Sequence, residues 1–163
     1  MNYGQIKQAV RDYAHRELSD AQLGTFLALA EQRIYRGESN TPALRIAAQH
    51  ARTSLADGTR PADFLEALAV ADADGALSWR PLAALARSAR AFAWDGAALA
   101  LSDDVVFPVD LTYFARLPTP AADGDENWLL EHAPGVYLSA MLVEFARWAL
   151  DGDSSNPRRE ALW

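Results

Sequence analysis

The chain has 163 residues, half of them hydrophobic, with a formal net charge of −7 and no cysteine. That length supports one sizeable core, and the missing cysteines exclude disulfides and thiolate metal sites, which fits a cytosolic chain. Of the 15 basic residues only Lys7 is a lysine, and they form no run. An acidic chain without clustered basic residues is poorly suited to wrapping nucleic acid. The excess of arginine is compatible with bidentate contacts at interfaces or simply with a GC-rich genome. The first eighteen residues hold no apolar run of signal-peptide length, so the chain is expected to stay where it is made.

Ile6, Val10 and Tyr13 recur at i, i+4, i+7, which predicts an amphipathic helix over residues 3–17. Ser19-Asp20-Ala21-Gln22 reads as a capping box, and Leu23, Phe26, Leu27, Ala30 and Ile34 follow on one face, so a second helix is expected over 19–37, ending at Gly37. Glu38-Ser-Asn-Thr-Pro42 breaks the pattern, and a β-rich insertion is expected from 43 to 116. Residues 44–55 can be read as helix or strand. Asp-Gly pairs begin at Asp57, Asp74, Asp95, Asp123 and Asp151. A two-residue turn at Asp95-Gly96 would set Phe92 against Leu99, and one at Asp74-Gly75 would set Val70 against Trp79. Alanines 91, 93, 98 and 100 then share a face that a helix or a neighbouring subunit can approach closely. Residues 82–90 suggest a short helix. Residues 105–115 suggest a third β stretch, in which Pro108 points to an edge or a bulge. Residues 117–126 read as an exposed loop.

The segment NWLLEHAPGVYLSAMLVEFARWAL, from Asn127 to Leu150, is apolar on every side of a helical wheel beyond Val136, save Ser139, Glu144 and Arg147. A helix over 134–150, opened by Pro134 and stopped at Asp151-Gly152, is therefore expected to be the buried centre of a bundle. It is too short and too charged to span a bilayer. Trp128, Tyr137, Met141 and Trp148 are expected in its core. Glu144 needs a partner if buried there, and Arg33 is the candidate; the alternative is a wet groove. The expected fold class is α+β, mainly α: a small helical bundle with an inserted β-hairpin and sheet lobe, one domain over 1–152 and a tail over 153–163.

His15, His50 and His132 lie at no metal-ligand spacing, and Asp72-x-Asp74-Gly75 lacks the glycine and closing glutamate of a calcium loop. No nucleophile motif or phosphate loop is present, so no enzyme activity, metal or cofactor is expected.

Several segments, in order and spacing, resemble the head-to-tail adaptor proteins of tailed bacteriophages, most of all those of short-tailed phages. They are LALAEQRIYR ending at Arg36, Pro61-Ala-Asp-Phe-Leu65, Phe92–Leu101 followed by Leu111-Thr-Tyr113, and Asn127-Trp-Leu-Leu130 leading through Pro134 and Tyr137-Leu138 to Glu144. The resemblance covers residues 5–152. It implies a structural virion protein at the head–tail junction, assembled in the host cytoplasm as a ring, usually twelve-fold, beneath the portal. The ring extends the DNA channel, and its partners are the portal protein, tail hub or nozzle proteins and further copies of itself. Double-stranded DNA passes through without sequence-specific binding, and no membrane is involved. A carboxy-terminal segment commonly reaches the portal in such proteins, and Arg158, Arg159, Leu162 and Trp163 stand where it would begin. The tail can also be read as a frayed end. Competing readings are a neck or tail-completion protein, a DNA-packaging accessory protein, which would need a basic stripe, and a small hydrolase, which would need a catalytic constellation.

Overall fold

The computed structural model describes residues 1–38 and 41–152, and it divides the chain into two compact units. One comprises Met1–Leu44 with Pro118–Trp163, the other Arg45–Leu117.

The first unit is helical. Helix α1 spans Tyr3–Ala14, opened by a capping box in which Asn2 and Gln5 bond each other's backbone N–H. It stops three residues before the expected end because His15 turns left-handed, with φ 51°. Helix α2 spans Asp20–Arg36 behind the Ser19–Gln22 capping box. Gly37 follows with φ 73°, where a Cβ would fall 2.6 Å from the Ala43 nitrogen, so only glycine fits. Two further helices, α4 over Trp128–His132 and α5 over Pro134–Gly152, are separated by Ala133, whose backbone leaves the helical region ahead of the proline. Helix α5 packs against α1, α2 and α4.

The buried side chains of α5 are Tyr137, Ala140, Met141 and Glu144, a single i, i+3, i+4, i+7 stripe. The helix is therefore not buried all round, as its composition suggested. Val143, Trp148 and Leu150 are exposed. Trp148 is 42% and Trp128 38% exposed, so neither is a core residue. The physical reason is stoichiometric: α1 and α2 cover one side of α5, and periodicity alone does not reveal how many neighbours a helix has.

The second unit is almost wholly β. Strands β1 (His50–Leu55), β2 (Phe64–Asp72), β3 (Gly75–Ala76) and β7 (Val109–Ala115) form an antiparallel sheet in the order β1-β7-β2-β3. Strands β4 (Ser78–Trp79), β5 (Ala91–Asp95) and β6 (Ala98–Leu101) form a second sheet, β4 running parallel to β5. Leu55, Val70, Leu77, Phe92, Val109 and Leu111 anchor the shared apolar cluster.

The fold is α+β and mixed, which corrects the expectation of a mainly helical chain: 39% of the described residues are helical and 26% lie in strands or bridges. Two stretches account for the difference. Residues 44–55 resolve into one 3-10 turn, Ala47–Gln49, and then strand β1, whose ladder to β7 decides what the alanine-rich pattern left open. The helix expected over 82–90 is a single turn, α3 (Leu82–Leu85).

Both hairpin registers also differ by two residues from those expected. Asp95 pairs with Ala98, leaving Gly96-Ala97 as the turn, and Phe92 faces Leu101. Gly96 alone takes positive φ there, 59°, as a glycine at the first central position of a type II′ turn does. Asp72 pairs with Gly75, so Val70 meets Leu77, while Trp79 joins Phe92 in the other sheet. A two-residue shift preserves which side chains share a face. Leu85 of α3 fills the alanine face, packed with Ala91, Ala93 and Ala100. Pro108 precedes β7, a central strand, so it marks neither an edge nor a bulge in that strand.

Candidate functional site

In the helical unit the polar groups that matter are buried ones. Glu144, 8% exposed on α5, carries the guanidinium of Arg33 from α2. Arg33 also reaches Glu38 at 3.4 Å, and Arg147 reaches Glu38 at 3.4 Å and Glu144 at 3.9 Å, so charges alternate around a shallow groove on the α2–α5 face. A buried carboxylate held this way contributes little net stability but penalises any slide of one helix along the other.

A second buried acid was not foreseen. Glu31 accepts hydrogen bonds from the Thr119 hydroxyl at 2.6 Å and the Tyr137 phenol at 2.9 Å. The Asn127 amide donates to the same phenol oxygen at 3.0 Å and to the Pro118 carbonyl at 2.8 Å, while its own carbonyl accepts the Leu130 N–H as the N-cap of α4. Burial, together with Tyr35 and Glu31 nearby, pushes the Tyr137 phenol well above its usual range, so it acts as a permanent donor. This network ties α2, α5 and the stretch entering α4. The signal was present in the sequence: Glu31 follows Leu27 by four residues, inside the apolar stripe of α2.

Lys7 occupies the same kind of position on the stripe of α1. Its ammonium pairs with Asp123 and, at 3.2 Å, with Asp20, and lies 5.2 Å from the centre of the Tyr3 ring. The hydrogen bond that Lys7 donates to Asp123 raises its pKa, and Arg11, with Lys7, lowers that of Asp20. The loop reaches α1 through Gly4, whose N–H donates to the Asp123 carbonyl at 2.8 Å.

In the β unit, Arg90 organises the acidic turn. Its guanidinium bonds Asp72 at 2.7 Å and the Gly75 carbonyl at 3.2 Å, and its N–H bonds Asp104 at 2.9 Å. Ser102 accepts the Ala91 N–H and donates to Asp104 at 2.6 Å. Arg90 holds Asp72 below the usual carboxylate range; the Ser102 hydroxyl, with the Arg90 N–H, does the same for Asp104. Among the described residues no group of three or more His, Asp or Glu could hold a metal ion. His132 stacks on Trp128 at 4.8 Å, and His15 closes α1.

The exposed surface is rich in large apolar side chains: Leu29, Val143, Trp148 and Leu150 on the helical unit, Leu68, Trp79, Leu82 and Val106 on the β unit. Apolar groups displayed in such number suit docking better than chemistry. Of the expected site residues, Arg33, Glu144 and Tyr137 meet α2–α5 partners and Met141 is buried on α5, whereas Trp128 and Trp148 stand at the surface. Arg158, Arg159, Leu162 and Trp163 lie outside the described residues. Among the described residues no helix is long and apolar enough to cross a membrane.

No curated protein matches the chain. The family model described as SU10 adaptor protein matches residues 1–163. The chain belongs to the SU10 adaptor protein family, a family of structural phage head–tail adaptors and not of enzymes.

Proposed function

We propose that this chain assembles as a ring, twelve-fold in a short-tailed phage, beneath the portal, joining head to tail and extending the DNA channel. The observation that carries the reading is the family match over residues 1–163. Adaptors of this family serve in the virion, where they meet portal and tail proteins. Two features of the chain support the finer statement. Exposed tryptophans and leucines on both units supply surface for neighbours. A net charge of −7 lets a channel wall repel DNA and so pass it without gripping.

The portal-side contact is assigned to Arg158, Arg159, Leu162 and Trp163, the tail-side contact to the exposed loops. Sedimentation of the full chain with portal rings from the same phage tests this. Co-sedimentation at one copy per portal subunit is expected, and it is expected to fall at least tenfold on deletion of residues 153–163. Undiminished binding by the deletion would move the portal contact elsewhere, and a chain that ignores the portal would favour a neck or tail-completion role.

A further inference from the structure

The four-stranded sheet of the β unit has two unlike ends. At one, β1 pairs with β7, and among the described residues its outer edge carries no strand from His50 to Leu55. At the other, β3 covers β2 only at Ala71 and Asp72, and Leu77 donates to the Val70 carbonyl at 2.8 Å. The outer edge of residues 64–69 has no partner strand among the described residues. Unpaired edges of this length are templates for another strand, and folds that do not use them blunt them. Here the ladder of β2 to β7 shifts register between Phe64 and Glu66 and between Ala67 and Ala69, but β2 carries no proline or lysine and no helix covers its outer edge among the described residues. Beside it runs an apolar groove of about 460 Å³, floored by Val70, Leu77 and Phe92, with Leu68 and Trp79 at its mouth, 45% and 58% exposed.

The two ends are also opposite in charge. Residues 41–56, which contain β1, hold Arg45, His50 and Arg52 and no acid. Residues 61–79, which contain β2, hold Asp63, Glu66, Asp72 and Asp74; Arg90 pairs with Asp72 and Asp74 and Arg60 lies over the Phe64 ring, so Glu66 is the charge that the bare stretch 64–69 itself presents. Arg52 is 70% exposed and Glu66 59%. Their present partners, Asp110 and Arg45, lie in the same unit; the Arg52–Asp110 pair is exposed and exchanges at little cost, whereas Arg45 is half-buried beside Phe114. Pairing β2 with a second β2 would set acid against acid, and β1 with β1 would set base against base.

We infer that the bare edge of β2 receives β1 of a second copy of this chain, so that the sheet continues from subunit to subunit. Both outer strands run antiparallel to β7, hence parallel to each other. Copies related by rotation about an axis along the strands keep that direction, and the junction is a parallel pair. Because the joined edges differ, the contact is heterologous, and its repetition closes a ring when the rotation divides a full turn. The junction would cover Leu68 and Trp79. This inference rests on the ring reading above.

The absence of cysteine makes the test clean. Arg52→Cys is combined with Leu68→Cys or, for the neighbouring register, Glu66→Cys, and the full chain is oxidised with and without portal rings of the same phage. Arg52→Cys with Tyr13→Cys on α1 is the control. A β2–β1 junction brings the engineered positions within the roughly 7 Å between Cα atoms that a disulfide tolerates. The expected result is a covalent ladder from dimer to closed ring with either β-edge pair, heterodimers only when the single variants are mixed, and no ladder in the control. Hydrogen exchange of the unmodified chain provides a second measurement, with amides 64–69 slowing at least tenfold on ring formation. Rings that form with no edge cross-link and no slowing overturn the edge junction and leave the ring standing. Cross-linking of Arg52→Cys or Leu68→Cys to itself overturns the heterologous arrangement, and slowing that needs the portal after rings are complete gives the edge to the portal instead. Failure to form rings in any condition overturns both.

Discussion

The helical unit and the β unit solve the problem of register in different ways. Helices that meet through apolar stripes can slide, because Leu, Ile and Phe offer similar contacts at neighbouring positions. The helical unit places Lys7, Glu31 and Glu144 inside those stripes, each with partners on another element. In the β unit the backbone ladders set register, and the buried polar side chains are uncharged: Tyr113 donates to Asp63 at 3.0 Å, Gln49 to the Ala115 carbonyl at 3.2 Å, and Ser102 accepts the Ala91 N–H at 2.9 Å. A buried charge is thus a register device where no ladder exists.

Substitutions can break that contrast, beginning with the largest effects. Glu144→Gln leaves the Arg33 guanidinium half-compensated and is expected to cost about 3 kcal/mol in urea unfolding. An unchanged midpoint would mean that Glu144 merely faces water. Leu111→Ala, at a fully buried point of β7, is expected to cost about 3 kcal/mol by opening a cavity, but without any change in hydrogen-bonding pattern. Tyr137→Phe sharpens the comparison, since it keeps the volume and removes only a hydroxyl. The Glu31 carboxylate and the Asn127 amide each lose one bond, for about 2 kcal/mol. Hydrogen exchange at Leu130, whose N–H is capped by Asn127, should rise in this variant and not in Leu111→Ala. Ser19→Ala, which removes the cap of α2, is expected to lower stability by about 1 kcal/mol.

A further test uses pH. The pKa of Lys7 is raised in the folded state, so its contribution is complete below the ordinary lysine value of 10.5 and is lost as pH climbs through the raised one. Asp20, Asp72, Asp104 and Asp125 are lowered, so theirs is complete above the ordinary 3.8 and is lost as pH falls through the lowered values. Melting temperature should therefore be flat near neutrality and fall at both extremes. Lys7→Met should remove the part of the alkaline loss that this amine contributes; an unaltered alkaline slope would show that the Lys7 clamp is not formed in solution.

How far the sequence carried depended on whether a feature was local. The Ser19 capping box, the start of α5 at Pro134 and the Arg33–Glu144 pairing all follow from spacing along one or two helices, and the family was legible in the order of short motifs such as Asn127-Trp-Leu-Leu130. Features that depend on partners distant in sequence were not. The spacing predicts hairpin turns on Asp-Gly, yet Asp95 pairs with Ala98, which moves that turn one residue later, and Gly75 pairs with Asp72, which moves the other one residue earlier. The outward faces of Trp128 and Trp148 reflect how few elements cover α4 and α5, which no periodicity reports. Glu31 and Lys7 are legible as charges standing at stripe positions, but a single polar residue leaves the amphipathic pattern of a helix unchanged and does not name its partners.

The most direct test of the central claim is electron cryo-microscopy of the full chain mixed with portal rings of its own phage. The account predicts a closed ring seated on the portal, one copy per portal subunit, with an open central channel. Bare portals beside free single chains would contradict it.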